Sequence, residues 1–241
     1  MSKLKRFYFE KLHDEKVILT NQEMLHCKNV MRLRVGDNII ACCGDGFDYV
    51  CQIEDMTKNE VICKVLEKME NLADSKINVT LFQANLKADK VELIAQKVSE
   101  IGLNELVLFD SEFCVAKKSE NTNKVERLKK IAIESAKQCG RSKALIVGKF
   151  MTFSQMVETI GAYDLVLFAY ENQRECKITE LKGNFKNIAI IIGSEGGFSQ
   201  TECDILNALP NLKCVTLGKR ILRAETASIV ASALAMERFE N

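Results

Sequence analysis

The spacing of apolar residues changes along the chain. Over residues 1–69 the apolar runs are short and rich in β-branched and aromatic side chains: "RFYFE" (6–10), "NIIACC" (38–43), "FDYVCQIEDM" (47–56) and "EVICKVLEKM" (60–69). Runs of this kind read as strands. "GDGF" (44–47) has Asp-Gly at its centre and predicts a hairpin turn. "NQEMLHCKNVMRL" (21–33) reads as a helix capped by Thr20 or Asn21, and "RVGD" (34–37) as a turn into the next strand. The pattern predicts a small barrel-like module. "ENLADSK" (70–76) is polar and reads as a linker, so the domains are expected at residues 1–72 and 73–241.

From residue 77 apolar strands alternate with amphipathic helices. "INVTLFQANL" (77–86) is a predicted strand and "ADKVELIAQKVSEIG" (88–102) a helix ending at Gly102. "ELVLFD" (105–110), "ALIVG" (144–148), "DLVLFAY" (164–170), "NIAIIIG" (187–193) and "KCVTLG" (213–218) are further strands. "NKVERLKKIAIESAKQCG" (123–140), "TFSQMVETIG" (152–161), a segment after Ser199 and a last one from about Ala224 are the helices between and after them. Continuous apolar strands separated by helices predict a parallel sheet covered on both faces, an α/β domain wound on both sides.

Composition narrows the classes. The 241 residues are 47% hydrophobic and 28% charged, which fits a folded soluble chain. No run of eighteen apolar residues marks a membrane span. The charged start lacks an apolar signal core, and ten cysteines without a CxxC pair read as reduced thiols; both point to a cytoplasmic protein with no metal site. The net charge is +1, but cations cluster at Lys3/Lys5/Arg6, Lys28/Arg32/Arg34, Lys117/Lys118, Arg141/Lys143 and Lys219/Arg220/Arg223. Local patches matter more than the sum for phosphate binding.

Two glycine turns carry the candidate chemistry. "IIGSEGGFSQTE" (191–202) leaves an apolar strand and enters a helix, with Ser199 and Glu202 spaced as a capping box. It lacks the lysine of a phosphate-binding P-loop, and G-x-x-G-G is not the spacing of a dinucleotide fingerprint. Taken alone it is a tight bend or a ligand cradle. "LGKRILRAETASIVA" (217–231) repeats the arrangement through Gly218, with Arg220 and Arg223 before a helix. In a parallel sheet both turns open at the carboxyl edge, where ligands of open α/β sheets bind.

The pair resembles the signature of the RsmE family, 16S rRNA uridine-N3 methyltransferases of the SPOUT, or trefoil-knot, superfamily. "RFYF" and "HCKNVMRLRVGD" are similar to that family's N-terminal PUA-like RNA-binding module. "KADKVELIAQKVSEIGL" and "QCGRSKA" resemble further family segments, in order. Three positions depart from the family pattern: Ser194 for a proline, Lys137 for a glutamate, and Ala224 for a threonine.

The resemblance implies an α/β SPOUT-type domain with a parallel sheet and deep trefoil knot, plus a small PUA-like β-barrel. It implies S-adenosylmethionine as cofactor, 16S rRNA or the small ribosomal subunit as partner, and a homodimer. The cofactor cleft would use Ile192, Gly193, Gly197, Leu217, Gly218, Ile221 and Leu222, with Thr226 closing one side and Glu195 orienting the loop. Lys87, Lys90, Gln138 and Arg141 would bind RNA phosphate or line the site. Arg6, Lys28, Arg32 and Arg34 would contact the RNA backbone. Methylation at N3 requires an unpaired or extruded base. Loss of the N3 proton charges the flanking carbonyl oxygens, which Arg223, or alternatively Arg220, would stabilise. No general base is evident, since His13 and His26 both lie in the small domain. The competing reading is an RNA-binding protein of the same fold without activity. On the last helix, Ile229, Val230, Ala233, Leu234 and Ala235 form an apolar stripe, read as a dimer face.

Overall fold

The computed structural model describes residues 4–115, 122–170 and 176–240. The cluster Lys117/Lys118 and residue Lys3 lie outside them. The chain divides into two compact units: residues up to Asp74 together with Ala136–Ala144, and Ser75–Ser135 together with the chain from Leu145 onward.

The first unit holds β1 (Arg6–Tyr8), β2 (Lys16–Leu19), the short helix α1 (Asn21–Leu25), β3 (Asn38–Cys42), β4 (Phe47–Met56) and β5 (Val61–Glu70). They form a five-stranded sheet in the order β1-β3-β4-β5-β2, antiparallel except for the β1–β3 pair. Strand β2 is not evident from the sequence. Its four residues follow Asp14 and Glu15, both at positive φ, in a turn without glycine. The helix expected over 21–33 is α1 continued by a π-helical turn, His26–Val30. Alternate strand residues, among them Phe7, Val17, Ile39, Cys51, Ile53 and Cys63, point into one apolar core. Cys27, Cys42, Cys51 and Cys63 are all free and buried, and burial pushes the Cys27 thiol up to about 11. Among the described residues no cluster of side chains is suited to a metal.

The second unit runs β6 (Asn78–Ala84), α2 (Ala88–Ile101), β7 (Glu105–Asp110), α3 (Thr122–Cys139, its last turn belonging to the first unit), β8 (Ile146–Val147) and β9 (Met151–Thr152). It continues through α4 (Phe153–Ile160), β10 (Leu165–Ala169), a 3-10 turn at Ile178–Glu180, β11 (Asn187–Ile192), α5 (Gln200–Asn207), β12 (Leu212–Val215) and α6 (Ala224–Phe239). The strands form a parallel sheet ordered β12-β10-β11-β6-β7-β8, with β9 pairing the end of β7. Both faces are buried, so β10 and β11 are apolar at every buried position, while β6 carries two buried polar residues, Thr80 and Gln83. In β11, Ile188, Ile190 and Ile192 pack towards α2 and α6, while Ala189 and Ile191 pack towards α4 and α5. Helix α2 ends at Gly102, whose φ of +112° suits a residue without a Cβ. Among the described residues no helix is long and apolar enough to cross a membrane.

The last helix meets its own subunit through Ala224, Ser228, Ala231, Ser232, Ala235 and Met236, packing on α2. The stripe read as a dimer face is therefore split. Ala235 belongs to the internal face, Ala233 is exposed, and Ile229, Val230 and Leu234 are half-buried.

Candidate active site

Strand order reverses between β6 and β11. From β6 the chain steps outward through β7 and β8, and then fills the other side with β10, β11 and β12. A crevice opens at the carboxyl ends of strands flanking such a reversal. The residues at this one are Gln83 at the end of β6 and Gly193 after β11, in adjacent register. Gln83 is fully buried and donates through Nε2 to the Gly193 carbonyl at 3.1 Å. Its Oε1 accepts from the buried Ser228 hydroxyl in the first turns of α6. One amide thus ties three elements: β6, the glycine turn and α6. Neither Gln83 nor Ser228 stands in a sequence motif; the available signal is a glutamine inside an apolar strand run, which must find partners when buried.

The glycine turn is held from several sides. Gly197 has φ +70° and donates to the Ser194 carbonyl at 3.0 Å. A Cβ on Gly193 would lie 2.8 Å from the Phe198 ring, and one on Gly196 would lie 2.9 Å from Cβ of Phe113. Ser194 donates from its hydroxyl to the Phe113 carbonyl at 3.2 Å. The capping box read from sequence is present: Glu202 N–H donates to Ser199 Oγ at 3.4 Å, and Ser199 N–H to Glu202 Oε2 at 3.0 Å. The other Glu202 oxygen accepts from Glu112 N–H at 2.9 Å, which draws the β7–α3 loop onto the turn.

Lys90, in the first turn of α2, joins the two glycine turns electrostatically. Its Nζ lies 2.8 Å from Glu195 Oε1 and 3.7 Å from Glu225 Oε2. The hydrogen bond to Glu195 raises the Lys90 ammonium above its ordinary value, against the charge of Arg223. The Lys90 hydrogen bond likewise holds the Glu195 carboxyl low, with Lys87 adding to the effect. Lys87, Lys90, Glu195, Glu225 and Arg223 therefore share one field. Lys90 is engaged by two carboxylates, one from each turn; Lys87 is exposed at the start of α2.

The second turn follows β12. Gly218 has φ +117° and nothing within 4 Å of where a Cβ would stand. Its N–H donates to Thr216 Oγ1 at 3.1 Å. Leu217 and Leu222 are half-buried, Thr226 is exposed, and Ile221 is 85% exposed, unusual for an isoleucine. Arg220 and Arg223 are exposed, and among the described residues neither has an ion-pair partner; Arg223 occupies the cap position of α6. Ile192 is buried at the end of β11.

Of the residues expected to touch RNA, two are corrected. Arg6 is not a surface cation: its guanidinium donates to both Asp48 oxygens at 2.5 and 2.7 Å, with a side chain only 9% exposed. Arg141 is 2% exposed, within 3.7 Å of Asp74. A side chain so enclosed cannot reach a phosphate. Lys28 donates to the Thr57 carbonyl. Arg32, at φ +54°, and Arg34 are exposed on the segment between α1 and β3, and Gln138 is exposed on the last turn of α3. Lys137 donates to Glu23 Oε1 at 2.6 Å, so this cation has its own carboxylate within the first unit.

Another cavity, of about 350 Å³, lies at the opposite, amino edge of the sheet, lined by residues including Asn78, Glu105, Tyr163 and Asn187. It is remote from both glycine turns and lacks their cations.

Known proteins match this arrangement. The family model described as RNA methyltransferase domain matches residues 73–236, and that described as RNA methyltransferase PUA domain matches residues 19–66. The Ribosomal RNA small subunit methyltransferase E of Bacillus subtilis (strain 168) is 33% identical over 224 residues, covering 88% of this chain and 86% of that protein. Its namesake in Rickettsia conorii is 31% identical, covering 91% and 89%. A crystal structure of a Ribosomal RNA small subunit methyltransferase E from Neisseria gonorrhoeae bound to S-adenosyl methionine superposes with a TM-score of 0.89 at 26% identity, over 98% of each chain. With both domain families in order and relatives above 30% identity along most of its length, the chain belongs to the ribosomal RNA small subunit methyltransferase E family.

Proposed function

We infer that this protein is an S-adenosylmethionine-dependent methyltransferase of small-subunit ribosomal RNA, and that its target atom is N3 of a uridine in 16S rRNA. The observation that carries the reading is the pair of glycine turns, linked by Lys90, at the carboxyl side of a parallel sheet whose order reverses at β6/β11, in a chain similar over its length to a relative whose structure holds S-adenosyl methionine.

The residues fit that cofactor. Open space beside Gly218, the exposed Ile221 and the half-buried Leu217 and Leu222 offer backbone groups and an apolar surface to a flat ligand. Ile192, Gly193 and Gly197 form the facing wall, and Thr226 closes one side. The cofactor supplies an electrophilic methyl group on a sulfonium sulfur. Gln83 fixes the Gly193 carbonyl, and Lys90 fixes Glu195, so the wall is set before any ligand arrives. Arg223 faces the site with its charge unengaged among the described residues. It stabilises the negative charge that spreads onto the uracil carbonyl oxygens as the N3–H bond breaks and its proton passes to water. Arg220, on the same loop, is the alternative for that role.

Arg32 and Arg34, with Lys28, grip the RNA backbone from a PUA-like barrel of residues 1–72, and Gln138 contacts RNA from the end of α3; residues 73–241 are the SPOUT domain, whose carboxyl-terminal segment carries a deep trefoil knot. The active form is a cytoplasmic homodimer to which the open face of α6 contributes. Calorimetry with S-adenosylmethionine, followed by mass spectrometry of rRNA from small subunits treated with enzyme, tests the reading. Binding with a new N3-methyluridine is expected. Absence of cofactor binding would support an RNA-binding protein without activity.

A further inference from the structure

We propose that Phe113 is the stacking platform for the unpaired uracil base, a positioning residue that sequence patterns do not mark. The inference rests on the methyltransferase reading. Phe113 is 45% exposed, and no other Phe or Tyr among the described residues is exposed. An isolated exposed apolar side chain needs no explanation by itself; its surroundings here do.

Phe113 stands beside the first glycine turn. Its Cβ and carbonyl oxygen press on Gly196, where an added Cβ would lie 2.9 and 3.2 Å away. Its carbonyl accepts from Ser194, the preceding residue Glu112 is held by Glu202, and Cys114 N–H donates to the Ser111 carbonyl at 3.1 Å. The turn carrying Phe113 is therefore fixed on three sides while the ring faces outward. Glu195, adjacent to Gly196, is in the field of Lys90 and Lys87, and Lys90 in that of Arg223. An exposed aromatic ring at the turn whose Glu195 is engaged by these cations is the kind of combination that binds single-stranded nucleic acid, by stacking on one part and phosphate neutralisation on another. A base drawn out of its helix also needs a surface to replace the neighbours it has left. Ser194 supplies the hydroxyl that holds the platform.

The chain contains no tryptophan, so Phe113→Trp introduces a single fluorophore at the platform. Titration with deca-uridylate at low salt is expected to quench it, and polyphosphate, an anion without bases, is expected to leave it unchanged. In methyl transfer to undermethylated small subunits, Phe113→Ala and Phe113→Leu are expected to lower kcat/KM by roughly 5- to 150-fold, the loss of one base–aromatic stack. Phe113→Trp is expected to restore it, with melting temperature, S-adenosylmethionine affinity and sedimentation unchanged in all three. Equal quenching by polyphosphate, or full activity of Phe113→Leu, overturns the proposal. A changed sedimentation coefficient in Phe113→Ala overturns it in favour of a subunit contact, and weakened cofactor binding in favour of a cofactor contact. If wild type transfers no methyl group, the methyltransferase reading fails, while the fluorescence titration still decides whether Phe113 stacks on bases.

Discussion

Replacing Arg6 by Met separates a surface contact from a structural one. Arg6 donates two hydrogen bonds to Asp48, and the two side chains are 9% and 13% exposed. Burial would raise the Asp48 carboxyl, but the Arg6 and Asn71 hydrogen bonds and the Arg6 charge outweigh it and hold the group below its ordinary 3.8. Removing one partner of a buried pair costs about 3–5 kcal/mol, because the other charge is left uncompensated. Asn71 still donates to Asp48 at 2.8 Å, which places the expected loss near the lower end of that span. Loss of an exposed arginine changes stability by no more than about 0.5 kcal/mol. The two assignments thus differ several-fold in stability, whatever happens to RNA binding.

The pH dependence gives a second test. The wild-type pair contributes stability above the ordinary carboxyl value of 3.8, and that contribution is lost as pH falls through the lowered folded value. In Arg6→Met the buried carboxylate has lost its main partner, so its penalty grows as pH rises above the same ordinary value. The gap between the two proteins is therefore expected to be wide at neutral pH and to narrow in acid. Urea unfolding across this range measures it. A variant that unfolds with wild-type stability at neutral pH yet binds RNA more weakly would refute the structural role and return Arg6 to the RNA surface.

Other outcomes follow from the same geometry. Arg223→Ala is expected to slow single-turnover methyl transfer by about a hundredfold or more while cofactor affinity changes far less; near-normal rates would move the role to Arg220. Gly218→Ala adds a side chain at φ +117° into the open space beside the loop, so calorimetry should show weaker S-adenosylmethionine binding at a strain of roughly 1–2 kcal/mol. Lys90→Met frees both Glu195 and Glu225 and should weaken cofactor binding severalfold at neutral pH, where the released Glu195 carboxylate is charged; the deficit should shrink in acid as Glu195, no longer held low by Lys90, takes up a proton. Removal of residues 1–73 takes away Tyr8, Glu23 and Asn71, partners of the Arg141 carbonyl, Lys137 and the Gly140 carbonyl. Limited proteolysis should then cut near 136–144, while cofactor binding persists and rRNA methylation falls.

The larger sheet is legible because its strands are buried on both faces, so "NIAIII" or "LVLFA" has no polar interruption to confuse with a helix. Its helix ends are legible because Gly102 and Gly140 take positive φ and Ser199 meets Glu202 at capping distance. Strand β2 is not: four residues at a sheet edge leave too short an alternation, and the turn before it uses Asp14 and Glu15 instead of glycine. The placement of Ala136–Ala144 with the first unit is equally hidden, since apolar period reports a helix and not the unit on which its last turn packs.

The candidate site divides the same way. Its glycines punctuate the pattern and so draw the eye to both turns. Arg6 and Arg32 are the same residue type in similarly basic stretches, yet one is sequestered by an aspartate 42 positions away and the other faces solvent. No local spacing encodes that difference; it depends on which strand pairs with which. Gln83 is hidden for a related reason. In "LFQAN" it occupies one step of a strand, and only the β6–β11 register puts its amide beside Gly193 and the Ser228 hydroxyl. A buried amide with both ends engaged fixes orientation as well as position, because rotating it would set its oxygen against the Gly193 carbonyl oxygen, acceptor against acceptor. The geometry of the glycine turn is therefore set by a residue that long-range strand pairing alone makes visible.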